Sequence, residues 1–374
     1  MNKIKVLIVD DSVFMRNAIA KILDDNEIEI VGTATNGKDG VEKSIELKTD
    51  IITMDIEMPV MTGLEALKAI MKKNPTPVIM VSTLTSEGAE ATIEALSNGA
   101  VDFITKKAAF KEMDSLKEEL TSKIKDIAKS TGLRNQLNRR KLLHRMAPVD
   151  TPEMKKDSAL LIKAEEIKKY NLKPIRKLTP TNVKAINIGI STGGPEALKN
   201  LIPFLPADLP VPVFVEQHMP HGFTKSLSER LNSISSIKVK EAEDSEAVAP
   251  GIVYIAPGNR HLLLNKRKRI IISEKQENTV YMPSVDVTMR SLMDIYGRDI
   301  LGVIMTGMGN DGAAGYAALS SLGGYIIAQD IDSCIVAGMV KAVLANGSAN
   351  EILTPLNIAK SICTVFGLQM PKLN

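Results

Sequence analysis

The sequence predicts an α/β protein made of two parallel sheets in succession, each covered by helices on both faces. Three observations predict it. Strand-length apolar runs alternate with segments of helical periodicity through residues 1–125, a second such alternation fills residues 183–374, and residues 126–182 between them lose the pattern. With 374 residues and 44% hydrophobic content, the chain has material for more than one core.

In residues 1–125, strands are expected at 5–9, 29–34, 51–54, 77–81 and 102–104, with helices at 13–23, 37–48, 63–73, 89–98 and 112–127. Residues 126–182 are dominated by Lys, Arg, Asn and Pro, and Pro148, Pro152, Pro174 and Pro180 interrupt any long helix. They read as an interdomain tether with short helices near 133–144 and 159–170. Beyond it, strands are expected at 185–190, 211–217, 238–241, 252–256, 270–273, 300–305, 324–327 and 351–353, with an antiparallel excursion around 238–273. Helices are expected at 196–204, 223–232, 284–296, 312–321 and 337–345.

The formal net charge is +3, but residues 126–182 hold fourteen Lys/Arg against six Asp/Glu, a local +8 that leaves −5 for the rest. The basic balance therefore belongs to the tether and not to a nucleic-acid-binding face. An aromatic content of 3% with no Trp leaves few platforms for stacking bases. Cys334 and Cys363 lack C-x-x-C spacing and read as reduced thiols. The first apolar run ends in aspartates, and none approaches the roughly 18 residues of a membrane span, so a soluble cytoplasmic protein is expected.

Asp10 and Asp11 end the first expected strand and Asp55 ends the third. The carboxyl ends of strands in an open α/β sheet are where ligands bind. Clustered carboxylates repel unless a hard cation sits among them, and oxygen donors suit Mg²⁺. Ser82 and Lys106 end the fourth and fifth strands at the same rim. A carboxylate beside Mg²⁺, a hydroxyl and a lysine can accept a phosphoryl group, because the cations offset the arriving charge. Asp-Asp-Ser could equally cap a helix and Lys106 could be merely solvated. It is the coincidence of all five at matching strand ends that favours a phospho-acceptor.

These residues resemble the response-regulator receiver family, which implies a flavodoxin-like (βα)5 domain over 1–125. The resemblance makes Asp55 the phospho-acceptor. It makes Asp11, Asp55 and the backbone carbonyl of Glu57 ligands of Mg²⁺, with Asp10 reaching the ion through water. Ser82 and Phe103 match the pair that rearranges on phosphorylation, beside Lys106. A histidine kinase is implied as phosphodonor. One departure is Lys107, which stands where the family usually has Pro.

In the second domain an apolar run stops at Ser191, and Gly193, Gly194 and Pro195 follow before a helical segment. A serine on a strand-to-helix turn faces outward, where helix N–H groups can hold an oxyanion. Such a turn could also bind phosphate or merely turn. A nucleophilic serine needs a base and an orienting acid. His218 directly follows a strand and leads the candidates, with His261 and His221 open behind it; His144 lies in the tether. The turn from Met305 to Gly312 has the design of the serine turn and carries Asp311, whose plain alternative is a helix cap. Asp286, Asp330 and Asp332 rank behind it.

Ile188-Gly-Ile-Ser-Thr-Gly-Gly-Pro195, Gln217-His-Met-Pro220, Ile255-Ala-Pro-Gly258, Pro283-Ser-Val-Asp286 and Met305-Thr-Gly-Met-Gly-Asn-Asp-Gly312 resemble the chemotaxis protein-glutamate methylesterase (CheB) family. The resemblance covers nearly the whole chain in the order receiver (1–125), linker (126–182) and doubly wound, mostly parallel esterase domain (183–374). Its linker is longer than is usual in the family. The resemblance makes Ser191 the nucleophile, His218 the base and Asp311 the orienting acid, with the backbone N–H groups of Thr192 and Met308 at the oxyanion. It implies demethylation of glutamate methyl esters on chemotaxis receptors with release of methanol, deamidation of receptor glutamines, and a receiver that covers the active-site cleft until phosphorylated. No cofactor is expected in the esterase domain, and neither nucleic-acid binding nor membrane insertion. Two readings compete. A DNA-binding regulator would need a helix-turn-helix output domain, and a non-catalytic receptor-binding adaptor would lack methanol release.

Overall fold

Strands of a parallel sheet covered on both faces must be buried along their length, and β1 (Ile4–Val9), β3 (Ile51–Asp55) and β4 (Val78–Ser82) nearly all are. The computed structural model describes residues 3–106, 113–130, 178–275 and 279–372, with positions 132, 133, 137, 170 and 172–174. Lys107, His144 and most of the expected tether, including most of its two short helices, lie outside the described residues. Contacts divide the chain into two compact units, Met1–Pro148 and Val149–Asn374.

In the first unit, β2 (Ile28–Ala34) and β5 (Asp102–Thr105) complete a five-stranded parallel sheet in the order β2-β1-β3-β4-β5. Helices α1 (Val13–Ile22), α2 (Gly37–Glu46), α3 (Gly63–Lys73) and α4 (Ser86–Ser97) each begin at a polar cap, namely Ser12, Asn36, Thr62 and Thr85. Thr85 accepts the Gly88 N–H, which starts α4 three residues earlier than the periodicity suggests. Helix α5 (Met113–Lys129) follows. The strand order reverses direction between β1 and β3, so the residues ending those strands flank the crevice where such sheets bind ligands.

The second unit is built on a seven-stranded, wholly parallel sheet. Its members are β6 (Ala185–Ile190), β7 (Val213–Gln217), β8 (Lys238–Glu241), β9 (Ile252–Ile255), β12 (Ile300–Ile304), β13 (Tyr325–Gln329) and β14 (Glu351–Leu353), in the order β14-β13-β12-β6-β7-β9-β8. Helices α6 (Gly194–Lys199), α7 (Phe223–Ser233), α8 (Val285–Tyr296), α9 (Ala313–Ser321) and α10 (Gly338–Ala345) connect or cover the strands.

Three sequence expectations are corrected. The antiparallel excursion reduces to the hairpin β10 (His261–Leu264) and β11 (Ile270–Ser273), whose short loop permits antiparallel pairing, and an isolated antiparallel bridge of Ala247 with Arg269. β8 and β9 instead join the main sheet in parallel, because the longer stretch between them allows a crossover. The helix expected over 196–204 stops at Lys199, and Pro203 sits in a separate 3-10 turn, Ile202–Phe204. An unforeseen helix, α11 (Pro355–Phe366), opens with proline at its first position and buries Ile358, Ala359, Ile362 and Cys363. Among the described residues no helix is long and apolar enough to cross a membrane.

Candidate active site

In the second unit the strand order reverses between β6 and β12, and Ser191 and the Met305–Gly312 loop emerge there side by side. Backbone hydrogen bonds extend the ladder past the strand ends. The Ser191 N–H donates to Thr306 O at 2.9 Å and the His218 N–H to Ile190 O at 3.1 Å. The three expected residues thus stand at the ends of adjacent strands β7, β6 and β12.

His218 Nε2 lies 2.8 Å from Asp311 Oδ2. An ionised carboxylate only accepts, so Nε2 carries the proton and Nδ1 is the ring nitrogen left to act as a base. The imidazole is half-buried and stacks on Tyr281, with ring centroids 5.0 Å apart. Among the described residues, no hydrogen bond joins Ser191 Oγ to the imidazole. Nucleophile–base contacts commonly tighten only when substrate is present.

Asp311 is 2% exposed and its carboxylate is saturated. Oδ1 accepts from Ser284 Oγ and from the N–H groups of Asp286 and Gly312. Oδ2 accepts from His218 and the Val285 N–H. Two of these donors are the first N–H groups of α8, which favour an anion. Burial pushes the Asp311 carboxyl upward, but His218 and the α8 amides outweigh it and hold it below the usual carboxylate value.

The rival candidates have other places. His261 is fully buried, and its Nδ1 accepts the Ser284 N–H. His221 is exposed on the turn before α7. Asp286 accepts the Gly315 N–H, Asp330 caps a 3-10 turn, and Asp332 is exposed.

Gln217 and Thr306 lie within the motifs, but no signal in the sequence gives them a role. The Gln217 amide donates to Ser191 O at 3.0 Å and His218 O at 3.2 Å, tying the two turns together. Gly194 must lack a side chain for this, since a Cβ there would lie 1.9 Å from Gln217 Oε1. The Thr306 hydroxyl reaches Thr192 O at 2.8 Å and receives the N–H groups of Ile335 and Val336, bracing the serine turn from the far side. Thr192, next in the chain to Ser191, is buried, and Met308 is half-buried. Gly189-Ile-Ser-Thr-Gly193 itself spells G-x-S-x-G on a strand-to-helix turn, a further signal for the serine.

In the first unit Asp10, Asp11 and Asp55 each offer an oxygen within 4.8 Å of the others, a donor set that fits a hard divalent cation. Lys106 Nζ is 2.6 Å from Asp55 Oδ2 and 3.6 Å from Asp10 Oδ2. Burial pushes the Asp55 carboxyl up to about 6 against the pull of Lys106. Arg16 donates to the carbonyls of Asp10 and Asp11. Glu57 has an exposed side chain two residues beyond Asp55. Ser82 is buried and bonded to Gly88 O and Thr92 Oγ1, a partner no sequence signal indicated. Phe103 is buried on β5, with Lys123 Nζ donating to its carbonyl.

Residues 186–362 match the CheB methylesterase family and residues 6–117 the response regulator receiver domain. A protein-glutamate methylesterase/protein-glutamine glutaminase of Archaeoglobus fulgidus is 43% identical over 364 residues, covering 96% of this chain and 97% of its own. One of Thermotoga maritima is 44% identical over 365 residues, covering 96% and 97%. The crystal structure of the Thermotoga maritima CheB methylesterase catalytic domain is 43% identical, covers 49% of this chain and 98% of its own, and has a TM-score of 0.48.

Proposed function

Because this chain belongs to the protein-glutamate methylesterase/protein-glutamine glutaminase family, with a receiver domain ahead of a CheB methylesterase domain, we propose that it resets chemotaxis receptors by hydrolysing their glutamate methyl esters. The observation that carries the assignment of residues is the 2.8 Å contact of His218 Nε2 with a buried, saturated Asp311, one strand away from Ser191.

Ser191 Oγ attacks the ester carbonyl carbon as its proton passes to His218 Nδ1. Asp311 holds the imidazole in the tautomer that leaves Nδ1 bare and stabilises the imidazolium that forms. The carbonyl oxygen becomes an oxyanion against the N–H groups of Thr192 and Met308. As the tetrahedral centre collapses, the proton on Nδ1 goes to the departing methoxide and methanol leaves. Water, deprotonated by the same nitrogen, then cleaves the acyl-serine to a glutamate carboxylate. A receptor glutamine follows the same course with ammonia leaving.

In this reading residues 1–125 are the receiver, 126–182 a linker and 183–374 the catalytic domain. Asp55 accepts phosphate from a histidine kinase. Asp10, Asp11, Asp55 and the Glu57 carbonyl would hold Mg²⁺, which offsets the charge of the incoming phosphoryl group, and Lys106 adds its own positive charge to Asp55. Ser82 and Phe103 carry the change away from the acidic cluster, and phosphorylation relieves inhibition of the esterase. With these partners the protein works in the cytoplasm. Ser191→Ala is expected to abolish methanol release from methylated receptor, and full retained activity would sink the assignment.

A further inference from the structure

Beneath the three strand ends lies a buried polar chain that the reaction does not use. Glu216, two residues before His218 on β7, is fully buried, and its Oε1 has no hydrogen-bond partner. Its Oε2 lies 2.6 Å from the side-chain amide nitrogen of Asn187, four residues before Ser191 on β6. Asn187 Oδ1 lies 2.8 Å from the hydroxyl of Tyr316, which comes from α9, just beyond the Asp311 loop. That hydroxyl also meets Val303 O of β12 at 2.8 Å and receives the Gly189 N–H at 3.1 Å.

Counting protons decides how this chain is wired. Tyr316 has one hydroxyl proton but faces two acceptors at equal distance. Glu216, if ionised, would be a buried charge facing only the neutral Asn187 amide and its own backbone N–H, while Asp311 on the β12 loop repels it and the Tyr316 phenol offers no positive charge. Asp286 adds a further negative charge facing Tyr316. Turning the Asn187 amide over, which exchanges two atoms of nearly equal size, removes both conflicts. Glu216 Oε2–H then donates to Asn187 Oδ1 and Asn187 Nδ2–H to the Tyr316 oxygen. Tyr316 O–H donates to Val303 O, and the Gly189 N–H is received as before. Each of these protons has one acceptor; the second Asn187 amide proton has no acceptor among these groups in either orientation, so it does not decide between them. Glu216 Oε1, now a carbonyl-type oxygen, tolerates being unpaired better than a donor does. A length of 2.6 Å is also ordinary for an O–H···O bond.

We propose, on the basis of the esterase reading above, that Glu216 is a positioning residue: a neutral carboxylic acid that braces β7, β6 and β12 through Asn187 and Tyr316. The brace keeps the strand ends that carry His218, Ser191 and the Asp311 loop in register. Burial drives the Glu216 carboxyl upward, in the sense the wiring requires.

The test uses the full chain with Glu216→Gln, Glu216→Leu and Tyr316→Phe. A glutamine amide reproduces the donor and the bare oxygen of the neutral acid. E216Q is therefore expected to keep kcat within about threefold and to leave the acid limb of the pH profile unmoved. E216L and Y316F are expected to lower kcat by about tenfold or more while KM holds. Difference infrared spectroscopy at neutral pH is expected to show a protonated-carboxyl C=O band that E216Q loses. That arm needs no substrate, so it stands or falls apart from the esterase reading. Should E216L not fold, Y316F carries the kinetic arm. Absence of the band, an acid limb shifted in E216Q, or an unchanged kcat in Y316F would each overturn the proposal.

Discussion

Replacing Asp311 by Asn changes one atom and probes the whole arrangement. Every lone pair the carboxylate uses is committed to a donor: three donors face Oδ1 and two face Oδ2. The new amide group must displace one set. The less damaging orientation puts the nitrogen where Oδ2 stands, against the Val285 N–H and His218. Val285 is fully buried, so its N–H loses its acceptor at a cost of about 1–3 kcal/mol of stability. His218 Nε2 must then accept instead of donate, which moves the ring proton to Nδ1 and removes the base. The same substitution in a serine-protease triad lowers kcat about ten-thousand-fold, and a loss of that order, roughly 5 kcal/mol of transition-state stabilisation, is expected here. The assay is methanol release from methylated receptor by the full chain, with thermal melts to confirm folding. A folded variant within about tenfold of the parent would refute the argument that Asp311 sets the tautomer. The pH dependence of stability provides a second reading. Because Asp311 is held below its ordinary 3.8, its contribution is fully present above that value and disappears as pH falls through the lower folded value. The parent should therefore lose more stability than Asp311→Asn on acidification through that range.

Two further outcomes test other parts of the molecule. A Cβ at residue 307 would lie 2.9 Å from Ser191 Cβ and 2.2 Å from the sulfur of the fully buried Met339. Gly307→Ala is therefore expected to cost about 1–3 kcal/mol of stability by overpacking and to lower kcat roughly ten- to hundredfold by displacing Ser191, whereas a parent-like kcat would show that the serine turn yields freely. Asp55→Ala is expected to abolish the stimulation of methanol release that a small-molecule phosphodonor gives the parent, and a variant still stimulated about tenfold would remove Asp55 from the regulatory reading.

Much of this molecule could be read before any coordinates. Strands with a hydrophobic period and polar ends stood out, as did the residues ending them, because a parallel sheet buries its strands and turns at their carboxyl ends. Elements governed by longer-range choices did not. Helix α11 pairs no motif with its period, and the split of 196–204 turns on Pro203. Whether β8 pairs in parallel depends on a crossover that local composition does not encode.

The order of the two α/β units, the acidic cluster at Asp10, Asp11 and Asp55, and a serine, a histidine and an aspartate at strand ends are all legible along the chain. These follow from residue type and spacing within one segment. Which histidine meets which aspartate was decided only in three dimensions. His218 and Asp311 are 93 residues apart, whereas His261 starts the separate hairpin β10 and is enclosed there, with its Nδ1 taken by the Ser284 N–H. The roles of Gln217, Thr306 and Glu216 likewise arise from neighbours on other strands. Hydrogen bonds between strands depend on strand order and register, and the sheet sets those as a whole.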